Sequence, residues 1–109
     1  MLLIPTNMAV SHVLLGTAQN PLALDLNHLD VRVRLDGATI GFRDGGTATD
    51  DIWARVLWVI NEFVIARGYQ VTADHIIIPG ALTGIHPGKP GRYRVDYGAL
   101  GAVEFTILP

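Results

Sequence analysis

The sequence predicts one α+β domain over residues 1–109, a sheet with one long helix packed on it. Three observations predict it. An Asp-Gly pair separates two runs that suit strands. A long stretch after residue 50 carries few polar residues and stops at a glycine, as a covered helix does. Short β-branched runs broken by Gly and Pro then follow. A chain of 109 residues suits a single domain and can bury a core without staples.

Taken in order, residues 11–16 (SHVLLG) form a short apolar run ending in glycine, which predicts a buried strand. Residues 17–27 contain Asn20-Pro21 and predict a connection. Val31-Arg32-Val33-Arg34-Leu35 alternates apolar and basic residues, Asp36-Gly37 follows, and Ala38-Thr39-Ile40-Gly41-Phe42 comes next. A two-residue type I′ turn pairs Leu35 with Ala38, Val33 with Ile40 and Val31 with Phe42, so all six side chains share one face.

Residues 43–48 (RDGGTA) predict a glycine-rich loop. A helix starts near Thr49 or Asp50, either of which suits the N-cap, and Asp50 and Asp51 suit the positive end of its dipole. It runs to about Arg67, with Gly68 as the C′ residue. Ile52, Val56, Ile60 and Phe63 make one apolar stripe, and Trp53, Leu57 and Val64 make another. Such a helix needs cover on more than one side: the sheet on one, a partner chain or a return of the same chain on the other. His75-Ile76-Ile77-Ile78 predicts a strand stopped by Pro79-Gly80, residues 86–91 are a turn cluster, and residues 93–97 and 102–108 predict a hairpin around Gly98-Ala99-Leu100-Gly101.

Composition narrows the function classes. There is no cysteine, which excludes disulfides, thiolate zinc sites and cysteine nucleophiles and suits a cytoplasmic setting. Charged residues make up 17% of the chain, against about 25% in an ordinary soluble domain. So little charge leaves apolar surface uncovered and predicts a homo-oligomer, joined through the helix around Trp53, Leu57 and Val64. The net charge is −2 and the basic residues form no run, so nucleic acid is not an expected partner. No apolar run reaches the ~20 residues of a membrane span. The opening residues, with Pro5 and no positive charge, do not read as a signal peptide, and Met1 favours a complete short chain.

Four stretches in order resemble the C-terminal part of the 2-keto-4-pentenoate hydratase group, within the fumarylacetoacetate hydrolase-like enzymes. They are TNMAVSHVLLG from Thr6, the hairpin VRVRLDGATIGF, IIIPGALT from Ile76 to Thr83, and GKPGRYRVDYGALGAVEFTI from Gly88. The resemblance implies a roll- or sandwich-like fold with flanking helices. It also implies a pocket for a 2-keto acid lined by Asn7, Gly80, Ala81, Leu82 and Thr83. Enzymes of that group use Mg²⁺ or Mn²⁺ held by carboxylates, including a Glu-x-Glu pair upstream of the matched region. This chain lacks that segment, and it carries Thr6, Ala9 and Pro79 where the group has Asp, Ser and Thr.

The residues themselves leave alternatives open. Gly80-Ala81-Leu82-Thr83 suits either an anion nest with the Thr83 hydroxyl or a strand end that needs glycine. Asp25, His28 and Asp30, and Asp50 with Asp51, cluster oxygens of the kind a hard divalent ion uses, and capping or solvated-loop roles explain them without one. His12, His28, His75 and His86 fit no zinc spacing, and Asp74-His75 place their side chains on opposite faces of a strand. Ser11 and Thr83 have no nucleophile elbow around them. Trp53 and Trp58 suit core or interface anchors.

The expected function is therefore a stand-alone 2-keto-acid-like binding domain, or a catalytically incomplete relative of the hydratases, without a cofactor. Two alternatives stand beside it. One is an active hydratase or lyase whose Mg²⁺ or Mn²⁺ ligands, such as Asp50, Asp51 or Glu62, come from a neighbouring subunit or another chain. The other is a structural module that docks a protein partner.

Overall fold

The computed structural model describes residues 12–109, the side chain of Phe63 excepted. The chain divides into two compact units. One contains Asp50–Ala81, and the other contains Leu14–Thr49 and Leu82–Pro109. The class is α+β, with a four-stranded antiparallel open sheet in the larger unit and one short helix in the smaller.

The sheet consists of β1 (Val31–Leu35), β2 (Ala38–Arg43), β3 (Gly91–Asp96) and β4 (Ala102–Ile107), in the order β2-β1-β3-β4. Alternation along each strand sorts its side chains onto two faces. One face carries the cross-strand rows Leu35, Tyr93, Phe105 and Val33, Val95, Val103. Val31 and Val33 are 1% and 7% exposed. Burying such a side chain contributes about 1.5–3 kcal/mol. A slip of one residue would expose both valines and bury Arg32 and Arg34, so β1 has one tenable register. Tyr93 and Phe105 stack with ring centroids 4.9 Å apart. The Tyr93 hydroxyl donates to the Lys89 carbonyl at 2.9 Å and accepts from the Lys89 N–H at 3.0 Å, so its polar end is satisfied.

The Asp36-Gly37 turn has positive φ at both residues, 50° and 85°, as a type I′ hairpin requires. Beyond it the register departs from the sequence expectation. Leu35 pairs with Ala38 and Arg34 with Thr39, but Val33 then pairs with Gly41, Arg32 with Phe42 and Val31 with Arg43. Ile40 is the extra residue of a β-bulge, which reverses the faces of everything after it. Phe42 therefore lies on the face of Arg32, whose guanidinium sits 4.4 Å from the ring centroid. Arg43 takes the inward position expected of Phe42 and is 6% exposed. It donates to the carbonyls of Leu29 at 2.7 Å and Asn27 at 2.9 Å. An inward arginine is tenable because those two acceptors replace water.

The loop after β2 is tied to the same connection. The Gly45 N–H donates to Asp30 Oδ1 at 2.8 Å, and the Gly46 N–H to Asp44 Oδ1 at 2.9 Å. A Cβ on Gly45 would lie 2.1 Å from the His28 carbonyl oxygen, so only glycine fits there. The β3–β4 connection matches the expected hairpin, with a 3₁₀ turn over Gly98–Leu100.

In the smaller unit, α1 spans Ile52–Trp58 and is capped by Asp51, whose carboxylate accepts from the Ala54 N–H at 3.1 Å. The cap is thus Asp51, not Thr49 or Asp50. Asp50 instead pairs with Arg55 at 2.9 Å. The regular helix is shorter than the sequence predicts, because a π-helical stretch follows over Val59–Ile65. Val56, Val59, Ile60, Val64 and Ile65 are β-branched, which weakens helical preference. Gly68 occupies C′ as expected, with φ 84°. Its N–H reaches the Ile65 carbonyl at 3.0 Å and that of Tyr69 reaches Val64 at 2.8 Å, a Schellman closure.

Two expected strands do not form. Residues 12–16 and 75–78 carry no ladder. An apolar run reports a preference for burial, but a strand also needs a neighbouring backbone, which the run does not encode. Near residue 75 a local turn competes. The Thr72 N–H donates to His75 Nδ1 at 3.1 Å, the His75 N–H donates to the Thr72 carbonyl at 3.1 Å, and the Thr72 hydroxyl bonds Asp74.

Candidate functional site

Of the residues expected to line a pocket, Asn7 lies outside the described residues. Gly80 and Ala81 belong to the smaller unit, and Leu82 and Thr83 to the larger. Gly80 has φ 133°, a conformation that suits glycine. Thr83 Oγ1 lies 3.2 Å from His86 Nε2, and both are half-buried. The pair sits on β2: a Cβ on Gly41 would come within 2.7 Å of the His86 ring and 3.3 Å of Thr83. His86, which fits no zinc spacing in the sequence, is thus the partner of the Thr83 hydroxyl.

The other histidines and acids have local roles. His28 Nδ1 and Asp25 Oδ2 are 2.6 Å apart, both exposed. Asp30, Asp50 and Asp51 are engaged as described above. The Thr72 hydroxyl, bonded to the exposed Asp74 carboxylate, holds that group below its ordinary range. Burial pushes the Tyr97 hydroxyl upward. Among the described residues, no three His, Asp or Glu side chains are grouped to hold a metal ion. No helix among them is long and apolar enough to cross a membrane.

A concave feature of the larger unit lies elsewhere, on the polar face of the sheet. There the pairing brings together what the sequence keeps far apart. Arg34 on β1 stands opposite Arg94 on β3, which stands opposite Glu104 on β4. Arg92 stands opposite Thr106. With Arg32, four of the eight basic residues of the chain occupy this face. An open depression of about 560 Å³ is lined by Arg34, Asp36, Arg92, Arg94, Glu104 and Thr106, together with Gly37, Tyr93 and Phe105.

The charges of this depression are unevenly satisfied. Arg94 forms an ion pair with Glu104 and lies 3.8 Å from Asp96. Asp36 Oδ1 accepts from the backbone N–H of Arg92 at 2.9 Å. The guanidinium groups of Arg34 and Arg92 have no ion pair or hydrogen bond among the described residues. They belong to adjacent antiparallel strands in a diagonal relation, which places the two residues roughly 7–8 Å apart. Two planar forks at that spacing, flanked by the Thr106 hydroxyl, are suited to a compact oxyanion.

The alternations Val31-Arg32-Val33-Arg34 and Arg92-Tyr93-Arg94 were visible signals for this face. What the sequence does not show is the pairing of β1 with β3, which merges two short basic alternations into one cluster. Compared with family models, curated proteins and solved structures, the chain matches none.

Proposed function

We propose that the chain is a stand-alone small-molecule-binding domain that takes a compact carboxylate of the 2-keto-acid class and works as a homo-oligomer. On this reading it is a catalytically incomplete relative of the 2-keto-4-pentenoate hydratase group, without that group's metal-binding carboxylate segment. The observation that carries the proposal is the pair of uncompensated guanidinium groups, Arg34 and Arg92, beside an open depression. A carboxylate between them gains charge-assisted hydrogen bonds that neither side chain has among the described residues. The site is exposed, so salt screening keeps its affinity modest.

Self-association belongs to the same reading. It is supported by Trp53 and Leu57 on α1, which are 44% and 58% exposed. Contiguous apolar surface of this kind is covered by a partner more often than left in water.

Thermal melts at matched ionic strength test the ligand. Pyruvate or oxalate at roughly five times its Kd should stabilise the protein by about 1 kcal/mol, a shift of several degrees. An Arg34→Gln, Arg92→Gln double variant should show no such shift. No stabilisation by either acid, or equal stabilisation of the double variant, overturns the proposal.

A further inference from the structure

We propose that Glu104 sets the charge preference of the arginine depression, favouring monoanions over dianions. This rests on the anion-binding reading of the same depression. Three guanidinium groups line the concavity, but only two are open to a ligand, because Glu104 forms an ion pair with the third, Arg94. Arg94 stands directly between Arg34 and Glu104 in one cross-strand row. A ligand seated at Arg34 therefore lies beside an arginine whose charge is already matched.

The acidic groups around Arg94 divide clearly. Glu104 and Asp36 line the depression, while Asp96, on the same sheet face, does not. Asp36 is held by the Arg92 backbone N–H at 2.9 Å. Three arginines face two carboxylates in the lining, which favours one negative charge on the occupant. A second ligand charge would meet Glu104 without a free cation to offset it. Removing the Glu104 charge leaves Arg94 only its longer 3.8 Å pair with Asp96 and so opens it as a third partner, and a dianion gains from this about twice what a monoanion gains.

Calorimetric titration with pyruvate and oxalate, each against wild type, Glu104→Gln, Asp96→Asn, Arg94→Gln and the Arg94→Gln, Glu104→Gln double variant, tests this. Glu104→Gln should raise the oxalate-to-pyruvate affinity ratio by roughly three- to tenfold, and Asp96→Asn should raise it less. In the Arg94→Gln background the effect of Glu104→Gln should shrink, since it acts through Arg94. If pyruvate binds wild type and the ratio does not respond to Glu104→Gln, this inference fails and the anion site stands. If neither acid binds any form, the anion site itself is refuted.

Discussion

Asp36 and Arg92 clasp each other through the backbone. The Asp36 N–H donates to the Arg92 carbonyl at 2.8 Å, and Asp36 Oδ1 accepts from the Arg92 N–H at 2.9 Å. The turn of the first hairpin is thereby fastened to the start of β3, where Gly91 (φ 145°) leaves room for the carboxylate. Asp36 also holds φ 50°, which Asp and Asn tolerate better than other residues with a side chain. Asp36→Ala should cost about 1–2 kcal/mol in urea denaturation, the sum of a lost hydrogen bond and a strained turn. Asp36→Asn keeps both features, so it should cost less than about 0.5 kcal/mol while strengthening oxalate binding. Equal losses for the two variants would contradict the clasp.

Arg43 offers a sharper test of the bulge. Its guanidinium satisfies two carbonyls of the connection before β1. Arg43→Leu leaves the buried Leu29 acceptor unpaired and should cost at least about 2 kcal/mol, as measured by chemical denaturation. A change within about 0.5 kcal/mol would mean that Arg43 is outside and Phe42 inside.

Glycine substitutions separate crowding from backbone strain. Gly45→Ala drives a Cβ to 2.1 Å from the His28 carbonyl oxygen and should destabilise by about 3 kcal/mol or more. At Gly37 nothing lies within 4 Å, but φ is 85°, so Gly37→Ala should cost only about 1 kcal/mol. Differential scanning calorimetry of the two variants checks the order, and the reverse order would refute the packing around Gly45.

Two ionisable groups give pH signatures of opposite sense. Burial raises the Tyr97 pKa above its ordinary value near 10.0. Its contribution to stability is present below that value and is lost as pH climbs through the folded pKa. Ultraviolet titration should show its phenolate forming above the ordinary tyrosine range. Asp74 is held below 3.8, chiefly by the Thr72 hydroxyl. Its contribution is present above the unfolded value and disappears as pH falls through the lower folded one. Carboxyl NMR should place the Asp74 midpoint below the ordinary Asp value, and Thr72→Val should raise it.

Self-association through α1 has a direct readout. Light scattering should give a mass above 11.8 kDa per particle at micromolar concentration, and Trp53→Lys with Leu57→Lys should return the monomer mass. A monodisperse wild-type monomer contradicts this interface.

Local chemistry was the legible part of the fold. The Asp36-Gly37 turn, the β3–β4 hairpin and the C′ glycine at residue 68 each follow from a few adjacent residues. What escaped depends on partners distant in sequence. Ile40 looks like a normal strand residue, and its bulge exists because Arg43 finds acceptors at Asn27 and Leu29. The runs at 12–16 and 75–78 are apolar enough for strands, yet no ladder forms there. The same distance hid the depression, because Arg34 and Arg92 are neighbours only through the β1–β3 pairing. The Thr83 hydroxyl was visible, but its His86 partner was not.

Side-chain NMR of the arginine Nε–Hε groups during an oxalate titration tests the anion site most directly. The Arg34 and Arg92 signals should shift together and saturate with one binding constant, while the buried Arg43 signal stays still. Shifts that gather instead at Thr83 and His86, or arginine signals that never move, would contradict a carboxylate seated on the sheet's polar face.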